Sequence, residues 1–445
     1  MVMKKIYCLL ISLLLLTSLS WSAQWVELAA SPEPVAVKLL ESSDSRIQLN
    51  YQLNGFERDE VIINGETYAV IGLDSESRLW VKGNPELPRL CRSVIIPDDG
   101  FMEASVISSQ YREFSNIKIA PSKGHLLRSV NPDDVPYEFG EVYQEDAWYP
   151  EKIVELREPY ILRDLRGQVV EVNAFQYNPV KQVLRVYTEI TVQVDRVGSG
   201  GENVFVRTKP LEKMDPEFRR IYQRHFLNFD LVRALWPERY DPVEEVGPML
   251  VITYDDFYDA VMPLVDWKNQ KGIPTTIENV SVIGNNATDI KNYIRGLYET
   301  TGLTFVLLVG DAAQVATPSG GEDPTYAQLA GSDHYPELFV GRFSAETVGQ
   351  AYTQVERTID YEKFPQAGAD WYHKGTGVAS NQGAGIGHYG ESDDEHMNYI
   401  RRDLLDYTYT EVDQIYDPYG TSGMVSTALN EGRGTINYCG HGSTT

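Results

Sequence analysis

The first half of the chain alternates apolar and polar positions in the way that predicts β-strands. From about residue 24 to residue 228 the pattern recurs between turns marked by Pro, Gly and Asn. Two such runs, residues 169–177 and 183–194, flank Asn178 and Pro179. This arrangement predicts a β-hairpin, and the half as a whole is predicted to be β-rich.

From residue 247 the rhythm changes to short apolar runs that alternate with helical patterns. The expected strands are 249–253, 303–309, 338–342, 377–380 and 435–439, and the expected helices are 257–270, 289–298, 345–364, 393–406 and 423–430. Such alternation predicts an α/β domain with a parallel sheet and flanking helices, with ligands at the carboxyl ends of the strands. His441, Asp311 and the loop beginning at Ser380 all fall at such ends.

The N-terminus has the composition of a secretory signal peptide over residues 1–22. Lys4 and Lys5 precede an apolar run, and Ser20 and Ser22 form a small-x-small cleavage site. A membrane anchor is the alternative, but the run is near the lower length limit for a span, so we favour export. The predicted plan is a β-rich domain over 23–228, a linker over 229–246 and an α/β domain over 247–445.

The net charge limits the possible partners, and the cysteine count argues against a disulfide scaffold. The formal net charge of −25 argues against nucleic acid or an anionic membrane as a partner, because both would repel the chain. Without the signal peptide, Cys91 and Cys439 remain, which is too few for a disulfide scaffold.

The strongest candidate for chemistry is His441, between Gly440 and Gly442 at the end of an apolar strand. Glycines on both sides allow a sharp turn and close approach to a ligand, so an imidazole and a backbone N–H lie side by side. An ordinary exposed turn is the alternative for Gly-His-Gly by itself.

Longer strings decide between these interpretations. They are Ala120-Pro-Ser-Lys-Gly, Ile161-Leu-Arg-Asp-Leu-Arg-Gly-Gln-Val-Val, Gln176-Tyr-Asn-Pro-Val, Phe305-Val-Leu-Leu-Val-Gly-Asp, Val340-Gly-Arg-Phe-Ser, Gly390-Glu-Ser-Asp and Asn437-Tyr-Cys-Gly-His-Gly-Ser. In this order they resemble the gingipains, secreted cysteine endopeptidases with a caspase-like fold, and most closely the arginine-specific kind.

The resemblance implies that the β-rich half is an inhibitory propeptide and that the α/β half is the first part of a peptidase domain, truncated before its nucleophilic cysteine. It implies substrates with Arg or Lys and a secreted or cell-surface location. No cofactor is expected for catalysis. Calcium in a structural role is the one metal that the resemblance suggests, with unknown ligands.

The resemblance also implies roles for single residues. His441 matches the catalytic histidine, and the amide of Gly442 matches a donor of the oxyanion hole. Asp393 matches the acid at the floor of the pocket for the basic residue, although capping of a helix is an alternative role for this carboxylate. In the propeptide, Arg128 matches the arginine that occupies this pocket, with a solvated loop arginine as the alternative.

Four further residues complete the expectations. Arg239 and Tyr240 resemble the boundary at which the propeptide is cleaved from the enzyme. Gln382 stands where the arginine-specific family has a glutamate that orients the histidine, so the charge of that third member is missing. Cys439 is expected to be a buried core thiol.

Two other functions stay open at this point. Residues 388–396 contain two histidines and four acids, as a metallohydrolase might use, but His388 and His396 do not have the spacing of a helical ligand pair. A catalytically inactive homologue that binds other molecules at a surface is the second alternative, and Gln382 is the residue that favours it.

Overall fold

The computed structural model describes residues 24–31, 34–73, 76–207, 214–233, 246–384, 387 and 391–442. Within these ranges the first half contains strands β1 (Gln24–Glu27), β2 (Val35–Ser42), β3 (Arg46–Leu53), β4 (Gly55–Ile63), β5 (Glu66–Gly72), β6 (Ser77–Arg78), β7 (Pro88–Ile95), β8 (Gly100–Ser115), β9 (Val154–Leu156), β10 (Tyr160–Leu162), β11 (Leu165–Val172), β12 (Phe175–Asn178) and β13 (Val183–Ser199). The predicted β-rich half is therefore confirmed.

These strands form three antiparallel sheets, in the orders β1-β4-β5, β10-β11-β7-β6 with β9 beside β11, and β12-β13-β3-β2 with β8 beside β13. The predicted hairpin is present where β12 pairs with β13. Its first strand is not continuous, however, because β11 pairs with β7 in another sheet. At the break, the Asn173 amide N–H and side chain bond to the carbonyls of Ile153 and Lys152, which turns the chain from one sheet to the next. Alternation continues through the break, so the sequence did not reveal it.

The second half contains the elements that position the candidate site. Two helices precede it, α1 (Pro216–His225) and α2 (Phe229–Arg233). The remaining elements are β14 (Met249–Thr253), α3 (Tyr258–Gln270), β15 (Thr275–Asn279), α4 (Val280–Ile283), α5 (Ala287–Thr301), β16 (Phe305–Val309), β17 (Phe339–Phe343), α6 (Val348–Lys363), β18 (Lys374–Ala379), α7 (Asp393–Tyr407), β19 (Glu411–Tyr416), α8 (Ser422–Glu431) and β20 (Thr435–Cys439).

The strands of this half are parallel, as predicted, but they lie in two sheets. One has the order β15-β14-β16-β17 and the other the order β19-β18-β20. Asp311 follows β16 in the first sheet, whereas Ser380 and His441 follow strands of the second. The sequence placed all three at strand ends correctly but could not show that they belong to different sheets.

The two central strands of the four-stranded sheet, β14 and β16, are buried on both faces. Leu250, Ile252 and Leu308 pack with Ile290 and Ile294 of α5 on one side. On the other face, Val251, Leu307 and Val309 pack with residues of α3 and α6. Alternate residues of one strand thus enter two cores, which explains why these strands are continuous apolar runs in the sequence.

The start of the predicted linker is a structured segment. Helix α2 begins at Phe229, whose side chain is 1% exposed in an apolar cluster with Tyr222 and Phe226. Asn228, just before it, bonds to both backbone groups of Ile95 in β7. The first part of the 229–246 segment therefore packs on the β-rich half. Buried aromatic contacts of Tyr222, Phe226 and Phe229 hold this segment in place. The segment is too short to show the periodicity of a longer helix.

Candidate active site

The candidate site begins at the carboxyl ends of two neighbouring strands. β18 and β20 are parallel and in register at Ala379 and Cys439, and the Ser380 amide donates to the Cys439 carbonyl at 3.0 Å. The loops that leave these strands, one with Gln382 and one with His441, therefore start side by side.

His441 and Gln382 are in direct contact. The Nε2 atom of the His441 imidazole lies 2.6 Å from Oε1 of Gln382, across 59 positions of sequence. With the amide oxygen accepting, Nε2 carries the proton and Nδ1 is left as the acceptor. The imidazole is exposed, so Nδ1 is available to an incoming group.

Asp393 is held at the first turn of α7. Ser392 and Glu395 form a capping box at this helix end, and the Asp393 amide donates to the Gln382 carbonyl at 2.9 Å. The Ser380 hydroxyl donates to Oδ2 of the Asp393 carboxylate. Only 8% of the Asp393 side chain is exposed. The cap function thus belongs to Ser392, and the Asp393 carboxylate is directed to the strand ends rather than to its own helix.

Arg128 of the β-rich half reaches this carboxylate. Its Nη2 atom forms an ion pair with Oδ2 of Asp393 and donates to the Cys439 sulfur at 3.4 Å. Burial by itself would raise the pKa of Asp393, but the Ser380 hydroxyl and the Arg128 guanidinium together hold the pKa below its usual value. The carboxylate is therefore charged when the arginine is in place.

Cys439 corrects the sequence prediction of a buried core thiol. Its side chain is only partly buried and its sulfur contacts the Arg128 guanidinium. Burial and the nearby Asp393 charge raise the pKa of the thiol. Residue 439 ends its strand close to Asp393 at the first turn of α7, and the Arg128 guanidinium contacts both side chains. Strand alternation alone could not show this.

Two more residues of this site were not singled out in the sequence. Ser380 supplies the hydroxyl on Asp393, and Gly383 lets the loop pass close to the carboxylate. Gly383 has a φ of +80°, and a Cβ atom there would lie 3.1 Å from Oδ1 of Asp393. A hydroxyl residue directly after a buried strand was the available signal for Ser380.

The other predicted site residues are less informative. Gly442 is exposed beside His441, and a Cβ atom added there would meet no atom of the described residues within 4 Å. Arg239, Tyr240 and His388 lie outside the described residues. Asp311 accepts a hydrogen bond from Ser344 at 3.1 Å in the other sheet.

His396 pairs with Glu391 at 3.1 Å, and the described residues contain no group of three or more His, Cys, Asp and Glu that could hold a metal ion. Among the described helices, none is long and apolar enough to cross a bilayer.

Comparison with known proteins gives the family. The model of the C25 propeptide matches residues 24–231, and that of peptidase family C25 matches residues 243–445. Gingipain R2 of Porphyromonas gingivalis is 35% identical over 452 residues, which cover 100% of this chain and 60% of the relative. Gingipain R1 of the same organism is 37% identical over 433 residues, which cover 95% of this chain and 42% of that protein.

Two solved structures are similar to parts of the chain. A complex of the pro- and mature domains of Porphyromonas gingivalis RgpB matches 45% of this chain and 98% of that one at 34% identity, with a TM-score of 0.41. The Arg-specific cysteine proteinase gingipain R matches 46% of this chain and 50% of that one at 39% identity, with a TM-score of 0.43.

The chain spans 60% or less of the length of these two curated relatives. The two family models nevertheless meet with only a short gap, and each matches one structural half. The chain belongs to peptidase family C25, with the propeptide of that family preceding the peptidase region.

Proposed function

We propose that the chain is part of the secreted precursor of a cysteine endopeptidase that cleaves after arginine. The observation that carries this proposal is an arginine side chain seated on a buried carboxylate next to the His441–Gln382 pair. A carboxylate with little solvent exposure selects a guanidinium by charge and by directed hydrogen bonds. Lysine can use the charge but not the planar pair of donors, so it is the second choice for this pocket.

The roles of the residues in this reaction follow from their atoms. A cysteine thiol gives its proton to Nδ1 of His441, and the thiolate attacks the carbonyl carbon of the bound arginine, whose bond to the next residue's nitrogen then breaks. The protonated imidazole gives the proton to the leaving amine, and water then hydrolyses the thioester. The Gly442 amide would donate to the oxyanion that forms on the carbonyl oxygen.

The nucleophile is proposed to lie outside the described residues, as the sequence resemblance implies. Cys439 is a poor candidate because its sulfur contacts Arg128, and burial together with Asp393 raises the pKa of its thiol. A thiolate nucleophile needs a lowered pKa instead.

The latent state is proposed to depend on Arg128. In this arrangement the propeptide places its own arginine where a substrate arginine would bind, and the pocket is blocked. Cleavage after Arg239, which would make Tyr240 the new N-terminus, is the reaction that the enzyme itself would perform. The partners of the site are then Arg-containing proteins and the chain's own propeptide.

The test is the cleavage of peptides that differ only in the residue before the scissile bond, with the full-length protein after processing. His441→Ala should abolish turnover, and Asp393→Asn should lower kcat/KM for Arg peptides by 100-fold or more, about 3 kcal/mol, because the guanidinium loses its charged partner. Asp394→Asn is the matched control, because Asp394 lies in the same helical turn and accepts from Ser392 instead. Equal cleavage after Arg and Leu by the unchanged enzyme would contradict the pocket assignment.

The same assay separates the alternative functions. An inactive homologue that binds through its surface would show no turnover even when processed, and His441→Ala would change nothing. A metallohydrolase would lose activity to chelators and keep it after treatment with thiol reagents.

A further inference from the structure

A second arginine of the propeptide, Arg163, enters the peptidase half at a different place. It lies in the tight turn between β10 and β11, and its side chain is 6% exposed. Four of the residues that accept its hydrogen bonds, Gly302, Leu303, Thr304 and Glu337, precede β16 or β17, at the amino-terminal ends of the four-stranded sheet. Asp393, in contrast, lies at the carboxyl end of the three-stranded sheet.

The guanidinium donates to oxygens of the two segments that lead into β16 and β17, and to the carboxylate of Asp215. Its Nη1 donates to the carbonyls of Leu303 at 3.0 Å and Glu337 at 2.6 Å, and its Nη2 donates to the Gly302 carbonyl at 2.9 Å, to the Thr304 hydroxyl at 3.2 Å and to the Asp215 carboxylate at 2.7 Å. Asp215 itself comes from the segment before α1 and accepts from the Thr304 hydroxyl.

The environment of these oxygens suits a planar cation. Gly302 is the left-handed cap at the C-terminus of α5, which is the negative end of the helix dipole. The guanidinium carbon lies 4.7 Å from the ring centre of Phe218 and 5.5 Å from that of Tyr298. Carbonyl acceptors around the edge and aromatic rings beside the plane are the recognition mode of arginine rather than lysine.

The backbone of the turn is shaped for this contact. Arg163 has a φ of +49°, a left-handed conformation that costs a non-glycine residue about 1 kcal/mol. Neighbouring residues of the turn dock on the same peptidase loop. The Ile161 amide donates to Asp333 at 2.8 Å, and the Tyr160 ring stacks on Tyr335 with centroids 3.8 Å apart.

We propose that Gly302, Leu303, Thr304 and Glu337 form a second guanidinium-binding site of the peptidase half, whose ligand is the Arg163 turn of the propeptide. This site is separate from the Asp393 pocket and does not depend on peptidase activity. It anchors the propeptide through charge and directed hydrogen bonds, while Arg128 blocks the pocket.

The experiment measures backbone hydrogen exchange in the full chain. In Arg163→Ala, exchange of the segment 329–339 should rise by a factor of tens or more, because buried carbonyls and Asp215 lose their cation. Millimolar methylguanidinium, far below denaturing concentrations, should slow this exchange again by filling the vacated site. Unchanged exchange in Arg163→Ala, or no response to methylguanidinium, would overturn the proposal.

Arg166→Ala is the matched control, because Arg166 is likewise a buried arginine and donates to carbonyls, those of Pro97, Gly100 and Glu202. It should raise exchange in the β-rich half and leave segment 329–339 protected. If Arg163→Ala does not fold, Arg163→Lys decides the question. A single ammonium group cannot bond to the carbonyls before β16 and the carbonyl before β17 at the same time. Wild-type protection in the lysine variant would contradict a guanidinium site.

Discussion

At the scale of single residues, the hydrogen bond between Gln382 and His441 determines the orientation of the imidazole. Gln382 keeps an acceptor oxygen on His441 but no charge. If it only orients the imidazole, Gln382→Ala should lower kcat about tenfold or more, whereas Gln382→Glu should give similar or modestly higher activity, with a pH–rate profile moved to higher pH because a carboxylate favours the imidazolium. The measurement is kcat against pH for the processed enzyme. An alanine variant as active as the parent would assign the orienting role elsewhere.

Gly383 gives a prediction about the shape of the pocket. Gly383→Ala places a methyl group 3.1 Å from the Asp393 carboxylate at a φ of +80°. We expect a loss of about 1–2 kcal/mol in the free energy of unfolding and a larger KM for Arg peptides. Gly423→Ala, in the first turn of α8 with only ordinary contacts, is the control and should be neutral or stabilising. Unchanged KM in Gly383→Ala would show that the loop can move away from Asp393.

The sequence predicted these residues unequally. His441 and Asp393 were named because they lie in strings that resemble a known family, and Gln382 and Arg128 were named because that resemblance implies a role for each. Cys439 was misplaced because its environment is set by what covers a strand end, and that depends on a loop from β18 and a helix from 393 onward. Such contacts join positions far apart in sequence and leave no local periodicity.

At the scale of elements, most strands of the second half were predicted, whereas two polar edge strands were missed. β14 has the predicted bounds, because a buried parallel strand is an uninterrupted apolar run. β20 also has the predicted bounds, although it lies at the edge of its sheet and alternates partly buried and exposed residues. β15, at the edge of its sheet, reads Thr-Thr-Ile-Glu-Asn and was missed, as was β19 at the edge of the other sheet. Because an edge strand buries one face at most, β15 and β19 contain no run of apolar residues that would predict a strand.

The loop before β17 carries an element-scale prediction about pH. Burial raises the pKa of Glu337 to about 7, although its Oε2 accepts from the Leu329 and Ala330 amides at 2.6 and 2.9 Å. A carboxyl whose pKa is higher in the folded state takes up a proton on folding. The contribution of Glu337 to the free energy of unfolding therefore falls as pH rises from about 4.5 to about 7, by at most roughly 3 kcal/mol. Above that range the contribution is constant.

We expect Glu337→Gln to abolish this pH dependence. The urea-unfolding midpoint of the variant should therefore rise relative to that of the wild type between pH 5 and pH 8. Glu362→Gln is the control of opposite sign. Burial opposes the effect, but Lys268 and Lys271 lower the pKa of Glu362 to about 2, so its stabilisation is present above its unfolded pKa and constant from pH 5 to 8. A constant difference for Glu337→Gln over the same range would mean that the carboxyl is ionised throughout.

At the scale of the whole molecule, latency is proposed to depend on the fit between the two halves. In a full-length precursor made uncleavable by Arg239→Ala, Arg128→Ala should raise residual activity towards Arg peptides by a factor of tens. Removal of one partner of a buried pair costs roughly 2–5 kcal/mol, and we expect the lower end because 37% of the Arg128 side chain is exposed.

Lys123→Ala is the control for this change, because Lys123 lies in the same loop and donates to the Pro132 carbonyl at 2.6 Å. It removes a positive charge without touching Asp393. Unchanged activity in Arg128→Ala would assign latency to another contact. A mature N-terminus that mass spectrometry finds away from Tyr240 would separately contradict the proposed cleavage site.

The pairing of Arg128 and Arg163 on one body has a kinetic consequence. A propeptide bound through two contacts behaves as a bivalent ligand. When one contact dissociates, the other keeps the propeptide at a high effective concentration, in the millimolar range for short flexible connections. Cutting the linker would therefore not free the enzyme at once, because a propeptide that loses its pocket contact is still tethered and rebinds. Activity after cleavage should appear with a lag, and the lag should shorten when either arginine is replaced.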